Sequence, residues 1–288
     1  DSPAAAVAVR SSGLPPPTTK GGGPMYDFIL QVTNIDKQFP GVHALKDVSF
    51  SVLRGEVHGL IGENGAGKST LIKSITGAYS YDSGSIIFID ETGTQFKIHN
   101  PSDAKAAGIA AAYQDLLAAP ELTVGENFFL GRIPKTSLGA VDWSYIYQYS
   151  SKILREYGIS VDPRKKMRQL TVSQQMMVTI AKLSSEHAKL IIFDEPTALL
   201  PNQEVQTFYK ILRKLRANGV SMIYVSHRLE EILEVCDRVT VLKDGAIVGT
   251  KETSSVTEGM LISMMVGRSM SDIYQINKGV PGAEVLRV

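Results

Sequence analysis

Nine consecutive residues contain the glycines, lysine and hydroxyl groups that phosphate binding requires. They form a complete G-x-x-x-x-G-K-S/T motif, which reads Gly62-Glu63-Asn64-Gly65-Ala66-Gly67-Lys68-Ser69-Thr70. Glycines let the backbone curl so that its N–H groups point into one concavity. A lysine here places a positive charge near the β- and γ-phosphates of a nucleotide, and the serine hydroxyl can ligate Mg²⁺. The motif predicts a P-loop in which Lys68 contacts phosphate and Ser69 contacts the metal.

Two adjacent acids follow a short apolar run further along the chain. The run is residues 190–193, and the acids are Asp194 and Glu195. Four apolar residues predict a buried strand, and open α/β sheets bind ligands at the carboxyl ends of such strands. Alone, the pair would indicate only two solvated acids at a strand end. With a P-loop present, we expect Asp194 to hold Mg²⁺ and Glu195 to polarise the attacking water.

The elements around the P-loop have the order that a nucleotide site needs. Val57–Ile61 predicts a strand before the loop, and the spacing of Leu71, Ile72 and Ile75 predicts a helix after it. Further strands are predicted at residues 28–32, 48–53 and 220–225, and hairpins at residues 85–90 with 94–99 and 239–242 with 246–249. Strands that alternate with helices indicate a largely parallel sheet with helices on both faces.

The middle of the chain has a different pattern. Residues 113–170 read as mostly helical, and Asp142 can cap one of these helices. A later helix has its apolar face between Val205 and Leu215, with Gly219 as its predicted C-cap. The predicted fold is therefore α/β, a P-loop NTPase core of mostly parallel strands with an antiparallel β edge. A helical subdomain is expected as an insertion at about residues 115–170.

Composition excludes several classes of protein. The chain has 288 residues, 43% hydrophobic and 20% charged, with a formal net charge of +1. This charge predicts no general attraction to nucleic acid or anionic lipid, and the basic cluster at residues 164–168 reads as a solvated loop. No apolar run approaches the roughly 20 residues of a membrane helix. Cys236 is the only cysteine, so we expect no intrachain disulfide and a buried thiol. Residues 1–24 read as a disordered leader or added tag, with native sequence from about Met25.

Together, the P-loop and the acidic pair resemble the ATP-binding subunits of ABC transporters, which use ATP and Mg²⁺. Three other residues are similar to that family in their order and spacing, namely Phe39, Gln114 and His227. The resemblance implies that Phe39 stacks on adenine, that Gln114 meets the metal and signals to a partner, and that His227 contacts the γ-phosphate. A phenylalanine, a glutamine or a histidine alone would indicate no function, so this assignment depends on their order and spacing relative to the P-loop.

A narrower resemblance is to the ATPases of bacterial ribose, galactose, xylose and arabinose importers. It lies in residues 39–45, in the stretch from Leu122 to Arg132, and in residues 264–268. It implies an ATP-hydrolysing subunit at the cytoplasmic face of the inner membrane. The stretch from Leu122 to Arg132 would dock a membrane permease that is served by an external sugar-binding protein. Residues 25–268 would form one ATP-binding domain, and residues 269–288 a linker and the start of a second, because residues 284–288 are similar to residues 28–32.

The family signature loop is altered here. In place of L-S-G-G-Q the chain has Leu170-Thr171-Val172-Ser173-Gln174. Ser173 replaces a glycine whose backbone approaches the γ-phosphate, and Pro201 stands where the family has an aspartate. Because the signature of one domain completes the site of the other, we expect the site on Lys68 to hydrolyse ATP. The site completed by residues 170–174 is expected to be weak or silent.

Two other functions fit parts of this pattern. A soluble ABC ATPase that acts on ribosomes or DNA would share the P-loop and the acidic pair, without the importer-like run after Gln114. A regulatory module that senses ATP with little turnover would fit the altered signature. Glu195 argues against the second alternative, since a sensor needs no general base.

Overall fold

The computed structural model describes residues 28–112, 118–186, 188–198 and 200–267. Within these ranges the chain forms ten strands and eight α-helices. The strands are β1 (Phe28–Phe39), β2 (Val42–Leu53), β3 (Val57–Ile61), β4 (Ser83–Ile89), β5 (Gln95–Lys97), β6 (Ile109–Ala112), β7 (Leu190–Asp194), β8 (Ser221–Val225), β9 (Arg238–Lys243) and β10 (Ala246–Glu252). The helices are α1 (Lys68–Ile75), α2 (Pro101–Ala107), α3 (Val124–Phe128), α4 (Trp143–Glu156), α5 (Val172–Ser185), α6 (Asn202–Ala217), α7 (Leu229–Val235) and α8 (Glu258–Val266).

The larger sheet brings three functional segments to one edge. Its six strands have the order β10-β9-β3-β8-β7-β6, and all are parallel except β10. Because β8 lies between β3 and β7, the carboxyl ends of these three strands are neighbours. The P-loop follows β3, Asp194 ends β7, and His227 follows β8. The topology therefore gathers the predicted site residues at the edge where such sheets bind ligands.

A second sheet and two hydrophobic cores support this edge. The second sheet is antiparallel, with the order β2-β1-β4-β5. Its buried side chains pack with α1 and with one face of the larger sheet, as Leu30, Leu71 and Ile192 illustrate. The other face packs against helices α5 to α7, through residues such as Phe208 and Ile232. The predicted α/β fold is confirmed, although the antiparallel strands form a sheet of their own as well as an edge.

The first two strands are longer than predicted. β1 and β2 extend over residues 28–39 and 42–53 and pair antiparallel around a tight turn at Gly41, where φ is +81°. The predicted strands, residues 28–32 and 48–53, are shorter because polar residues interrupt the apolar alternation in the rest of both strands. Their pairing contains several register shifts, and Asn34 and Asp47 have positive φ, as is common at bulges.

The middle of the chain is less helical than predicted. Between residues 118 and 170 the helices are α3, α4 and one 3₁₀ turn at Met167–Gln169. The segment between α3 and α4 contains glycines at positions 131 and 139 with positive φ, which interrupts helical backbone. Asp142 caps α4 as expected, because its carboxylate accepts the backbone N–H of Tyr145 at 2.9 Å. The C-cap of α6 is Asn218, one residue before the predicted Gly219.

Helices α3, α4 and α5 pack against one another. Buried residues from the three helices, including Phe128, Ile146 and Met177, belong to the core that covers the larger sheet. In the part of the chain that the structure describes, we find no helix with the length and apolar character needed to cross a membrane. The thiol of Cys236 is buried, as predicted, and burial raises its pKa well above the ordinary value.

Candidate nucleotide-binding site

The P-loop follows a fully buried strand and has a backbone that requires glycine at three positions. Gly65 and Gly67 have φ of +83° and +105°, in the left-handed region that glycine adopts without strain. At Gly62 the restriction is space, because a Cβ there would lie 2.2 Å from the carbonyl oxygen of Leu242. The sequence motif thus reflects two requirements, backbone angle at two glycines and close approach to a neighbouring strand at the third.

Lys68 begins α1 and is held inside the loop. Its side chain is buried, and Nζ donates hydrogen bonds to the carbonyl oxygens of Gly62 at 2.7 Å and Glu63 at 3.0 Å. Burial lowers the pKa of Lys68, while the nearby carboxylates of Glu195 and Asp194 raise it in partial opposition. The ammonium is therefore fixed by its own loop and is poorly hydrated, which strengthens its interaction with an anion.

The acidic pair lies opposite this lysine. Burial raises the pKa of Asp194, and the neighbouring Glu195 carboxylate raises it further, against the effect of Lys68. Glu195 has a φ of +50°, which is uncommon for a residue other than glycine. Its Oε1 lies 3.3 Å from Nδ1 of His227. The predicted general base and the predicted γ-phosphate contact are thus direct neighbours.

One cavity of about 660 Å³ receives most of the predicted side chains. The predicted residues that line it are Phe39, Asn64, Gly65, Gly67, Lys68, Ser69, Thr70, Asp194 and Glu195. Two other predicted residues of the motif, Gly62 and Ala66, are buried and do not line the cavity. Phe39 is half-buried and edge-on to Tyr79, with ring centroids 5.5 Å apart, and Lys37 Nζ lies over its ring at 5.2 Å from the centroid.

Sequence reasoning missed seven residues of this cavity, three of which are Gly41, Val42 and Ala44 beside the turn between β1 and β2. The other four are His43 and Lys46 from β2, and Asp244 and Gly245 from the β9–β10 turn. The turn is joined to the P-loop, because Gly245 N–H donates to the Ala66 carbonyl at 3.0 Å. This proximity arises from the parallel pairing of β9 with β3. A hairpin signal was visible at this turn, but its place beside the P-loop depends on strand order, which local patterns do not encode.

The altered signature lies at the start of α5, away from this cavity. Thr171 caps the helix in a capping box with Gln174, with hydrogen bonds of 3.2 and 3.1 Å. Ser173 is buried in the first helical turn and has ordinary helical backbone. Within this chain, serine in place of glycine therefore forces no unusual backbone angle. Leu170 is buried and Val172 is half-exposed at 45%.

Ser69 and Asp194 form a donor set that fits Mg²⁺. Both line the cavity and present oxygen atoms, the ligands that this cation prefers. Within the described ranges, no group of three or more His, Cys, Asp or Glu is arranged to hold a metal. Mg²⁺ commonly takes one or two protein oxygens and completes its shell with phosphates and water. Gln114, the third predicted ligand, lies outside the described residues, as do residues 1–24 and 269–288.

Comparison with known proteins agrees with this geometry. Residues 45–198 match the family model described as ABC transporter. The chain is 44% identical over 266 residues to the xylose import ATP-binding protein XylG of Geobacillus kaustophilus, which covers 92% of this chain and 52% of that protein. It is 44% identical over 262 residues to the ribose import ATP-binding protein RbsA 1 of Streptomyces avermitilis, covering 91% and 49%.

A solved structure of an ATP-binding cassette of an ABC transporter, in its ADP conformation, superposes with a TM-score of 0.71. It is 27% identical and covers 84% of this chain and 99% of its own. The chain spans about half the length of the curated relatives it matches. On the P-loop, the acidic pair and these similarities, the chain belongs to the ABC transporter family.

Proposed function

We propose that this chain binds MgATP on its P-loop and hydrolyses it to drive a membrane importer, with a monosaccharide as cargo. The observation that carries the proposal is the convergence of Lys68, Ser69, Asp194 and Glu195 on one cavity. Its volume of about 660 Å³ is suited to a nucleotide. No single motif would suffice, but a buried lysine facing two carboxylates and a hydroxyl is a complete set for phosphoryl transfer.

Each side chain has a role that follows from its position. Lys68 binds the β- and γ-phosphates, since its buried ammonium is already aimed by the loop carbonyls. Ser69 and Asp194 would hold Mg²⁺, which when bound neutralises charge on the phosphate oxygens. Glu195 accepts a proton from the attacking water, and His227 beside it contacts the γ-phosphate. Phe39 offers a ring face for adenine, a contact that reads the base weakly.

The site needs a second ATP-binding domain to close over the nucleotide. In this proposal the signature segment at residues 170–174 serves that second domain, because it lies outside the cavity formed by its own P-loop. A second domain in the same polypeptide agrees with curated relatives about twice as long as the aligned segment. The two domains would close when ATP binds and open after hydrolysis, and this motion would drive the membrane importer.

The proposed membrane partner docks on the stretch from Leu122 to Arg132 and its surroundings. Large apolar side chains are exposed in this stretch and just after it, namely Leu130 at 48%, Ile133 at 44%, Trp143 at 45% and Tyr145 at 48%. Exposed apolar patches of this kind mark interaction sites. The importing direction, the sugar cargo, the external binding protein and the cytoplasmic face of the membrane are proposed from the relatives named above, which are xylose and ribose import proteins.

The test is phosphate release from MgATP by the chain alone and mixed with the second half of a xylose import relative. Glu195→Gln removes the base and keeps the shape, so we expect nucleotide binding to persist and turnover to fall by about 10²- to 10⁴-fold. Glu252→Gln, an exposed acid distant from the cavity, is the matched control and should retain turnover.

Other outcomes favour the alternatives. ATP binding without turnover in either preparation would support a regulatory module. Co-sedimentation with ribosomes, without recovery of a permease in detergent, would support a soluble ABC ATPase and contradict the importer.

A further inference from the structure

A buried carboxylate lies behind the catalytic edge of the sheet and outside the nucleotide cavity. It belongs to Glu231 on α7, whose exposed fraction is 6%. Four side chains donate hydrogen bonds to it: Thr197 Oγ1 at 2.7 Å to both oxygens, Tyr224 O–H at 2.8 Å, Ser226 Oγ at 3.1 Å and Arg228 Nη1 at 3.3 Å.

Two of these donors come from the turns that carry the catalytic groups. Thr197 follows Glu195 by two residues, after the end of β7. Ser226 directly precedes His227, after the end of β8. Both hydroxyls bind the same carboxylate, so the relative position of the two turns depends on Glu231. Ser226 Oγ also accepts the backbone N–H of Arg228 at 3.0 Å, which fixes the residues on either side of His227.

Burial of the Glu231 carboxylate costs more free energy than burial of an apolar side chain that only fills the same space. A buried carboxylate loses most of its hydration, and apolar side chains of similar volume often stabilise a core equally well or better. Here the carboxylate is compensated by four donors. Burial raises the pKa of Tyr224, as does the neighbouring carboxylate of Glu231, so the phenol keeps its proton and donates. The network therefore imposes directional contacts that apolar packing would not provide.

The Glu195 turn needs such support. A non-glycine residue at φ of +50° is strained, and such conformations persist where the surrounding structure fixes them. One backbone hydrogen bond, from Glu195 N–H to the Val225 carbonyl at 3.0 Å, joins β7 and β8 at this point. The hydrogen bond from Thr197 Oγ1 to the Glu231 carboxylate also holds the chain on the C-terminal side of Glu195.

We propose that Glu231 is a positioning residue for ATP hydrolysis: its carboxylate ties the Glu195 turn to the His227 turn and so sets their contact of 3.3 Å. The inference rests on the proposed function, because it concerns the same site. Glu231 touches neither nucleotide nor water in this scheme; it acts through Thr197 and Ser226.

The experiment compares two variants that each remove one donor from the same carboxylate. Thr197→Val removes a donor on the catalytic turn, whereas Tyr224→Phe removes a donor on the buried strand β8. Each should lower the melting temperature by a few degrees, because each variant loses one hydrogen bond. Only Thr197→Val should lower kcat, by about 10- to 100-fold, because an error of about 1 Å in a reacting group costs that much. The Kd for MgATP should stay within about twofold in both, and Thr197→Ser should restore kcat.

A second pair tests the carboxylate itself. Glu231→Gln should lower kcat to a similar extent with little change in ATP affinity, whereas Glu230→Gln, an exposed acid on the same helix, should have no effect. Equal loss of kcat in Thr197→Val and Tyr224→Phe, or unchanged kcat in Glu231→Gln, would overturn the inference.

Failure of the proposed function is distinguishable from failure of this inference. If the wild-type chain releases no phosphate in any preparation, crystal structures of the wild type and Thr197→Val decide the matter. A Glu195 to His227 separation that grows by about 1 Å supports the positioning role. An unchanged separation overturns it.

Discussion

Oε1 of Glu195 lies 3.3 Å from Nδ1 of His227, and the two residues follow different parallel strands, β7 and β8. The imidazole is 55% exposed and the carboxylate 23% exposed. Glu195 lines the cavity, whereas His227 lies beside Glu195 and does not line it. A group in this position can contact both the base and a phosphate that enters from solvent. In the proposed function, the pair would link the presence of the γ-phosphate to the group that activates water.

Replacement of His227 should separate nucleotide binding from hydrolysis. His227→Gln removes the imidazole without adding bulk, so we expect turnover to fall by about 10²-fold, as for other positioned polar groups in phosphoryl transfer. The Kd for MgATP should change little, because Lys68 and the P-loop are untouched. Titration calorimetry and phosphate release measure the two quantities. The control is His99→Gln, an exposed histidine on another surface; equal turnover in both variants would contradict a role for His227.

The contiguous parts of the site could be predicted from sequence, whereas the parts assembled by strand order could not. Lys68 and Asp194 stand inside short motifs whose residue types follow from phosphate chemistry. His43 and Asp244 reach the same cavity from strands whose pairing no local pattern specifies. The contact of Thr197 with Glu231 joins residues 34 positions apart. Only a folded arrangement of β7, β8 and α7 could place them together.

The Asp194 carboxylate should destabilise the protein in the absence of Mg²⁺. Its pKa is raised by burial and by Glu195, so the folded state binds this proton more tightly than the unfolded state does. Stability therefore falls as pH rises from the ordinary aspartate range through the raised pKa, and the cost persists at neutral pH.

Asp194→Asn removes that cost, so without nucleotide and metal we expect a higher melting temperature at pH 7. The rise should be about 2–4 °C for each kcal/mol gained. The gain should shrink as pH falls, because the wild-type carboxyl then becomes neutral. The same variant should lose most of the further stabilisation that MgATP gives the wild type. Calorimetry at pH 5 and pH 7, with and without MgATP, checks both effects, and a lower melting temperature at pH 7 would contradict them.

Gly62→Ala should damage the P-loop although the change adds a single methyl group. A Cβ at position 62 would meet the backbone oxygen of Leu242 at 2.2 Å, and neither backbone segment can rotate away as a side chain could. Overpacking of this kind costs about 1–3 kcal/mol or more. We expect lower thermal stability and weaker ATP binding. Gly259→Ala is the matched control, since position 259 lies in α8 with open space around its Cβ and ordinary φ. It should gain up to about 1 kcal/mol from helix propensity.

Ser173→Gly tests the altered signature. Ser173 lies in the first turn of α5, where glycine costs about 1 kcal/mol of helix propensity relative to alanine and less relative to serine. The variant should therefore be slightly less stable. If the buried Ser173 side chain obstructs the approach to a γ-phosphate in the second domain, however, turnover of the assembled pair of domains should rise.

The control is Ser144→Gly, which lies in the first turn of α4 and has the same cost in helix propensity but is not part of the signature. Melting temperature and phosphate release should then separate the two effects, because both variants lose stability and only Ser173→Gly gains turnover. Unchanged turnover in Ser173→Gly would mean that serine at this position does not limit the second site.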